Sequence, residues 1–168
     1  PTTHAELNPH QEACAGQLRP GFGLDLEFPG GLDLHAIAVH QKSGTDPRDI
    51  EYRRRAIGAL PVVVESIRTR SGDDDILVAG DFNTMGCRNC VLPLGALGEA
   101  SLLDGMLARQ TRPLRRVGSD LGCSHFHQGR PSLLDHFLVT ASTKEAEPHR
   151  LTRVEGECRR ASCEAIGR

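Results

Sequence analysis

From Leu24 to Phe28 apolar and polar residues alternate, Leu-Asp-Leu-Glu-Phe, which predicts a strand with one buried face. Pro29-Gly30-Gly31 is a turn signal and predicts a hairpin with the next apolar run. That run, Leu34 to His40, is apolar on both faces and reads as an inner strand. From Arg48 to about Arg70, Ile50, Ile57, Leu60, Val64 and Ile67 recur at helical spacing. Asp46 suits the N-cap and Pro47 the first helical position. Pro61 lacks an amide proton and crowds the preceding turn, so a kink or break is expected there. Ser71 to Asp75 is a solvated turn, after which Ile76-Leu77-Val78-Ala79 runs as a buried strand into Gly80-Asp81-Phe82-Asn83-Thr84.

Elsewhere the pattern is weaker. Residues 1–20 have no clear period and contain Pro9, Gly16 and Pro20, which predicts a loop or chain end. The segment from Thr84 to Gly98 is irregular, and a short helix is expected around Leu102 to Arg109. Further strands are expected over Cys123 to His127, Ser132 to Thr140 and His149 to Glu157. Strands gathered around a central helix predict a single α/β layered domain.

Composition changes this picture little. The 168 residues are 38% hydrophobic and 25% charged, globular values that suit one domain with a real core. The net charge of −2 supplies no overall footprint for nucleic acid or an anionic membrane. Arginines cluster locally, and the Arg53-Arg54-Arg55 triplet is expected on a solvated helix face. No apolar run approaches the ~20 residues of a membrane span. The chain starts at Pro1 rather than Met and ends Ile166-Gly167-Arg168, so it reads as an internal piece, and a missing leader carries no weight.

Cysteines stand at 14, 87, 90, 123, 158 and 163. Their even number suits disulfides in an oxidising, secreted or periplasmic setting. Free thiols are a second reading. The Cys87-Arg-Asn-Cys90 spacing with Cys158 and Cys163 leaves a zinc module as a third.

Candidate chemistry gathers at strand ends, where ligand sites of α/β sheets commonly lie. Alternation along a strand puts Asp81 and Asn83 on one side and Phe82 on the other. Asp81 suits proton acceptance or a hard cation, and Asn83 a metal contact or an N–H toward an anion. Taken alone, an Asp-x-Asn at a strand end more often forms an Asx turn. His40 ends the inner strand beside Lys42 and suits contact with an oxyanion, unless backbone groups satisfy it. Asp135 sits within an apolar run, where a carboxylate needs a partner. Such an aspartate orients a histidine or makes a structural hydrogen bond. His125 and His127, two apart, form a weak metal-ligand pattern that equally suits a cleft border.

Three stretches in this order, Ala38-Val39-His40-Gln41-Lys42-Ser43-Gly44, Gly80-Asp81-Phe82-Asn83 and Leu134-Asp135-His136-Phe137-Leu138-Val139, resemble motifs of the endonuclease/exonuclease/phosphatase (DNase I-like) superfamily. The resemblance covers roughly residues 24–140. It implies a four-layer α/β sandwich with two packed, mostly antiparallel mixed sheets. It also implies hydrolysis of a phosphoester, as by a nuclease or phosphodiesterase, with Mg²⁺ or with Mn²⁺ or Ca²⁺ in its place. DNA is one substrate it suggests.

By resemblance His40 contacts the scissile phosphate or acts as acid, and Lys42 assists in binding substrate. Asp81 activates water and Asn83 orients water, phosphate or metal, the two together holding the ion. Asp135 braces a catalytic histidine, and His136 is structural and faces away from it. The sequence departs from the superfamily in lacking an early Asn and Glu of the metal site. It also lacks a final Asp-His pair, unless Asp135-His136 is itself that pair in a shortened protein. The expected result is a partial domain that binds metal weakly. The runner-up is a non-catalytic binding domain on the same scaffold, stabilised by disulfides or zinc.

Overall fold

Alternating apolar positions build the central sheet of this computed structural model, which describes residues 1–7, 21–29, 31, 33–72, 74–143 and 152–167. In chain order the elements are β1 (Thr2–His4), a 3₁₀ turn (Ala5–Leu7), β2 (Gly21–Glu27), β3 (Asp33–His40), α1 (Pro47–Ser71) and β4 (Ile76–Asp81). There follow α2 (Ala96–Ala108), β5 (Leu114–Arg116), β6 (His125–His127), β7 (Arg130–Ser132), β8 (Asp135–Thr140) and α3 (Glu157–Arg160). Six strands form one sheet in the order β1-β2-β3-β4-β8-β5, and β6 pairs with β7 in a second, small sheet. Helix α1 crosses between β3 and β4, which run parallel, while the other neighbours are antiparallel. The α/β class is as expected. Of the two packed sheets, the described residues hold one large sheet and the β6–β7 pair.

One face of the large sheet carries the core. Ile37, Ile76, Val78 and Leu138 are at most 1% exposed and pack with Ile57, Leu60, Val63, Val64 and Ile67 of α1 and Leu103 and Leu107 of α2. The other face is open among the described residues. Phe22 (56% exposed), Leu24 (49%) and Phe137 (41%) stand on it, each in register with its neighbours across the strands.

The ends of α1 follow from its sequence. Asp49 Oδ2 accepts the Asp46 N–H (3.2 Å) at the start, and Gly72, at φ 76°, donates its N–H to the Arg68 carbonyl (2.8 Å) at the end. The expected break at Pro61 is absent: α1 is one helix of 25 residues. An interior proline costs about 3 kcal/mol. Burying each large apolar side chain returns roughly 1.5–3 kcal/mol, and Leu60, Val63 and Val64 flank Pro61 on the core side. Packing wins.

Four other expectations are corrected. Residues 2–4 are a strand, because their backbone groups pair with β2, while residues 8–20 lie outside the described set. Helix α2 begins at Ala96, well before Leu102, because Glu99 in its first turn is anchored by a tertiary partner. No strand spans the described part of 149–157. Thr152 makes an isolated bridge to Ser119, and a turn leads into α3. Arg53 is 3% exposed rather than solvated.

The zinc module is also overturned. Cys87 is bonded to Cys90 and Cys123 to Cys163, so the four proposed ligands do not converge as thiolates. Cys158 is a buried free thiol, and Cys14 lies outside the described residues.

Candidate functional site

Two strands that run parallel end at the same sheet edge, and a third that runs antiparallel begins there. Register therefore sets His40 beside Asp81 and Asp81 beside Asp135, on β3, β4 and β8. Residues in register share a face, so the three side chains form one row on the open face. Their neighbours Phe82 and His136 are buried on the opposite face. His40 Nε2 lies 3.6 Å from Asp81 Oδ2, with the two side chains 54% and 31% exposed.

Gly80 makes this register possible. Its φ is 139°, and a Cβ there would stand 2.1 Å from the Val39 carbonyl oxygen, so only glycine fits beside β3. The strand then stops. Asn83 adopts φ 50°, its N–H donates to Asp81 Oδ1 (2.7 Å), and its side-chain amide donates to the Gln41 carbonyl (3.0 Å). The Asx turn and the row thus coexist. Asn83 is buried as a brace between the loops after β3 and β4, rather than standing on the strand beside Asp81.

Burial raises the Asp81 carboxyl above its ordinary value, and the Asp135 carboxylate adds to this. The Asn83 N–H, His40 and His125 act the other way. His125 is therefore close enough to be felt at the row, although it and His127 are both exposed on the hairpin β6–β7. Gln128 and Gly129, both at positive φ, form the two-residue turn of that hairpin.

Asp135 departs from expectation. It is exposed rather than buried, because it opens β8 at the sheet edge on the face away from α1 and α2. Its backbone N–H donates to Ser124 Oγ (3.0 Å). His136 is buried on the other side of the strand. Thr84 gives its hydroxyl proton to the Leu133 carbonyl (2.5 Å) and so accepts from His136 Nε2–H (2.9 Å). Burial lowers the His136 pKa to about 4, with Arg116 adding to the effect. Lys42 is drawn to Asp49, Nζ to Oδ1 3.0 Å, and does not join the row.

A buried clamp that no motif signalled sets both loops. Arg53 donates Nε to Glu99 Oε1 (2.7 Å) and Nη2 to Glu99 Oε2 (2.9 Å). The same guanidinium donates to the carbonyls of Lys42 (2.9 Å), Gly44 (3.0 Å) and Gly86 (3.1 Å), and Glu99 Oε2 accepts the Gly86 N–H (2.6 Å). Six charge-assisted bonds leave this pair fully satisfied, the condition under which a buried ion pair is tolerated. Position 53 falls on the apolar stripe of α1 between Ile50 and Ile57, and that misplaced charge was the available signal.

No protein-family model and no curated protein matches the sequence. Solved structures do. Truncated TDP2 from Caenorhabditis elegans matches over 84% of this chain and 52% of its own, at 15% identity and a TM-score of 0.50. An endonuclease/exonuclease/phosphatase from Beutenbergia cavernae matches over 84% of this chain and 37% of its own, at 14% identity and a TM-score of 0.52. The fold is that of the endonuclease/exonuclease/phosphatase superfamily. This chain spans about half the length of the first solved chain and little over a third of the second.

Mg²⁺ takes six oxygen ligands, several of them usually waters, around one or two carboxylates. Among the described residues no three His, Cys, Asp or Glu side chains converge to hold a metal ion. Asp81 offers one carboxylate, whose Oδ1 accepts the Asn83 N–H, and Asn83 is held to the Gln41 carbonyl through its amide nitrogen, which leaves only its amide oxygen for a cation. The described residues by themselves do not make up a complete Mg²⁺ centre.

Proposed function

We propose that this chain carries the phosphate-handling edge of a phosphoester hydrolase, a nuclease or phosphodiesterase on the endonuclease/exonuclease/phosphatase scaffold. The row His40–Asp81–Asp135, set by register across three adjacent strands, carries this reading. His40 donates N–H to a phosphate oxygen. Asp81, made more basic by burial and by Asp135, accepts a proton from the attacking water. Asp135 keeps the edge negative and orients the groups beside it. Asn83 fixes the loop that aims Asp81. The substrate class is a phosphodiester, DNA among the candidates, approached from the open face.

The reading does not depend on Lys42, and a Mg²⁺ ion would require ligands beyond Asp81 and Asn83. The two disulfides favour an oxidising compartment, secreted or periplasmic. No helix among the described residues is long and apolar enough to cross a membrane.

The test uses the natural protein that carries this segment, with bis(p-nitrophenyl) phosphate and a DNA oligonucleotide, in Mg²⁺ and in EDTA. Asp81→Ala is expected to lower hydrolysis by about 10²–10⁴-fold with the circular dichroism spectrum unchanged. Unchanged hydrolysis in a folded Asp81→Ala variant sinks the assignment. A folded wild type that cleaves neither substrate, yet loses phosphodiester binding on His40→Ala, makes it a non-catalytic binding domain.

A further inference from the structure

At the far end of β3 from His40, about 17 Å away at the rise of a strand, a second cluster faces the helix side. His35 is 1% exposed, its Nδ1 is held by the Asp25 carboxylate, and its Nε2 has no partner. His4 of β1 is buried too, and its ring stands edge-on to that of His35, centroids 5.9 Å apart. His4 Nε2 lies 3.3 Å from Thr2 Oγ1. Between them runs β2 at Gly23, opposite Thr2 in register. A Cβ on Gly23 would come within 2.7 Å of His35 Nε2, 2.8 Å of His4 Nε2 and 2.4 Å of Thr2 Oγ1. Two imidazole nitrogens and a hydroxyl therefore converge on a cradle that exists because position 23 has no side chain.

The chemistry of His35 says what the cradle takes. A carboxylate only accepts hydrogen bonds, so the Nδ1 of a neutral His35 carries the proton and Nε2 presents a bare lone pair. A buried lone pair without a partner is unfavourable until something binds it. A carboxylate on one imidazole nitrogen with the other nitrogen directed at a shared point is the outer-shell arrangement of metal-bound histidine. Imidazole ligands select Zn²⁺, Cu²⁺ or Ni²⁺ over Mg²⁺ or Ca²⁺.

We infer that the His4–His35 corner binds a divalent transition-metal ion, Zn²⁺ foremost, through Nε2 of both histidines, with Thr2 Oγ1 and water at the remaining positions. No third His, Cys, Asp or Glu converges there among the described residues, so binding is weaker than at a four-ligand structural zinc site. Glu6 and Arg70 act on His4 with opposite sign, one aiding and one opposing a cation. The ion would staple the three-residue edge strand β1 to β3 across β2, coupling binding to folding.

The test is a titration of the metal-free full chain with ZnCl₂, followed by long-range ¹H–¹⁵N NMR of the histidine side chains and by thermal melting. The Nε2 resonances of His4 and His35 are expected to move together and saturate at one Zn²⁺ per chain while Tm rises. His35→Gln and His4→Gln are each expected to lose that saturable binding. Equal movement with Mg²⁺, movement confined to His40, His125 or His127, or no movement at His4 and His35 overturns the site. So does unaltered Zn²⁺ binding in the His4→Gln/His35→Gln double variant. If the variants fail to fold, the wild-type resonances decide.

Discussion

The two faces of the central sheet are made by the same strands and do opposite work. Along β8, Leu138 is fully buried while Phe137, one residue earlier, is 41% exposed. The covered face holds close-packed aliphatic side chains, and beside the row it keeps His136 neutral. The open face begins with a row of titratable groups and continues as an apolar surface. Strand alternation by itself produces this division, and the helices decide which half is sealed. The proposed chemistry, which must meet a substrate, lies on the unsealed half.

The largest effect is expected where the covered side reaches around to hold the row. Arg53→Met leaves Glu99 buried with only the Gly86 N–H and is expected to destabilise by about 3–5 kcal/mol in urea denaturation. Leu138→Ala is expected to destabilise by about 2–5 kcal/mol through lost burial and a cavity. Phe137→Ala is expected to change stability by less than about 1 kcal/mol. Equal losses at 137 and 138 would break the comparison, since they would mean the open face is covered in solution.

The two faces also differ in the sign of their pH dependence. His136 has its pKa lowered to about 4, so the native state binds its proton less tightly than the unfolded chain. The stability this contributes is complete above the ordinary value near 6.5 and is lost as pH falls from there to about 4. His136→Gln is expected to flatten the stability curve across that window, measured by urea denaturation at each pH. Asp81 has its carboxyl raised, so its contribution declines as pH rises from 3.8 through the higher folded value. Asp81→Asn is expected to remove that opposite slope. The smallest effect is expected at Lys42. Its pair with Asp49 is partly exposed, and Lys42→Ala is expected to shift stability by less than about 1 kcal/mol.

Much of the sheet was legible because β2, β3, β4 and β8 carry six to eight residues each, long enough for alternation in β2 and apolar runs in β3, β4 and β8 to show. Strands β1, β5, β6 and β7 have three residues each, and β5 left no periodic trace. Helix α1 was legible from its spacing and from Asp46-Pro47, but Pro61 misled because local rules cannot weigh the packing of Leu60, Val63 and Val64. Arg53 misled for the related reason that charge predicts exposure until a buried partner is known. Asp135 looked buried among apolar neighbours, yet it is the first residue of its strand and opens onto the edge.

By itself the sequence determined the strand and helix periods, the end of a buried strand at Gly80-Asp81, and three ordered motifs that point to one superfamily fold. Those depend on neighbours within a few residues, where backbone geometry and side-chain alternation act. Only the tertiary structure decided that His40, Asp81 and Asp135 share one row, because register is a property of paired strands. It alone paired Cys87 with Cys90 and Cys123 with Cys163, closed Arg53 on Glu99, and brought His4 and His35 together over Gly23. Apart from Cys87 and Cys90, three residues apart, these are residues whose meeting depends on loop closure and packing, which no local pattern encodes.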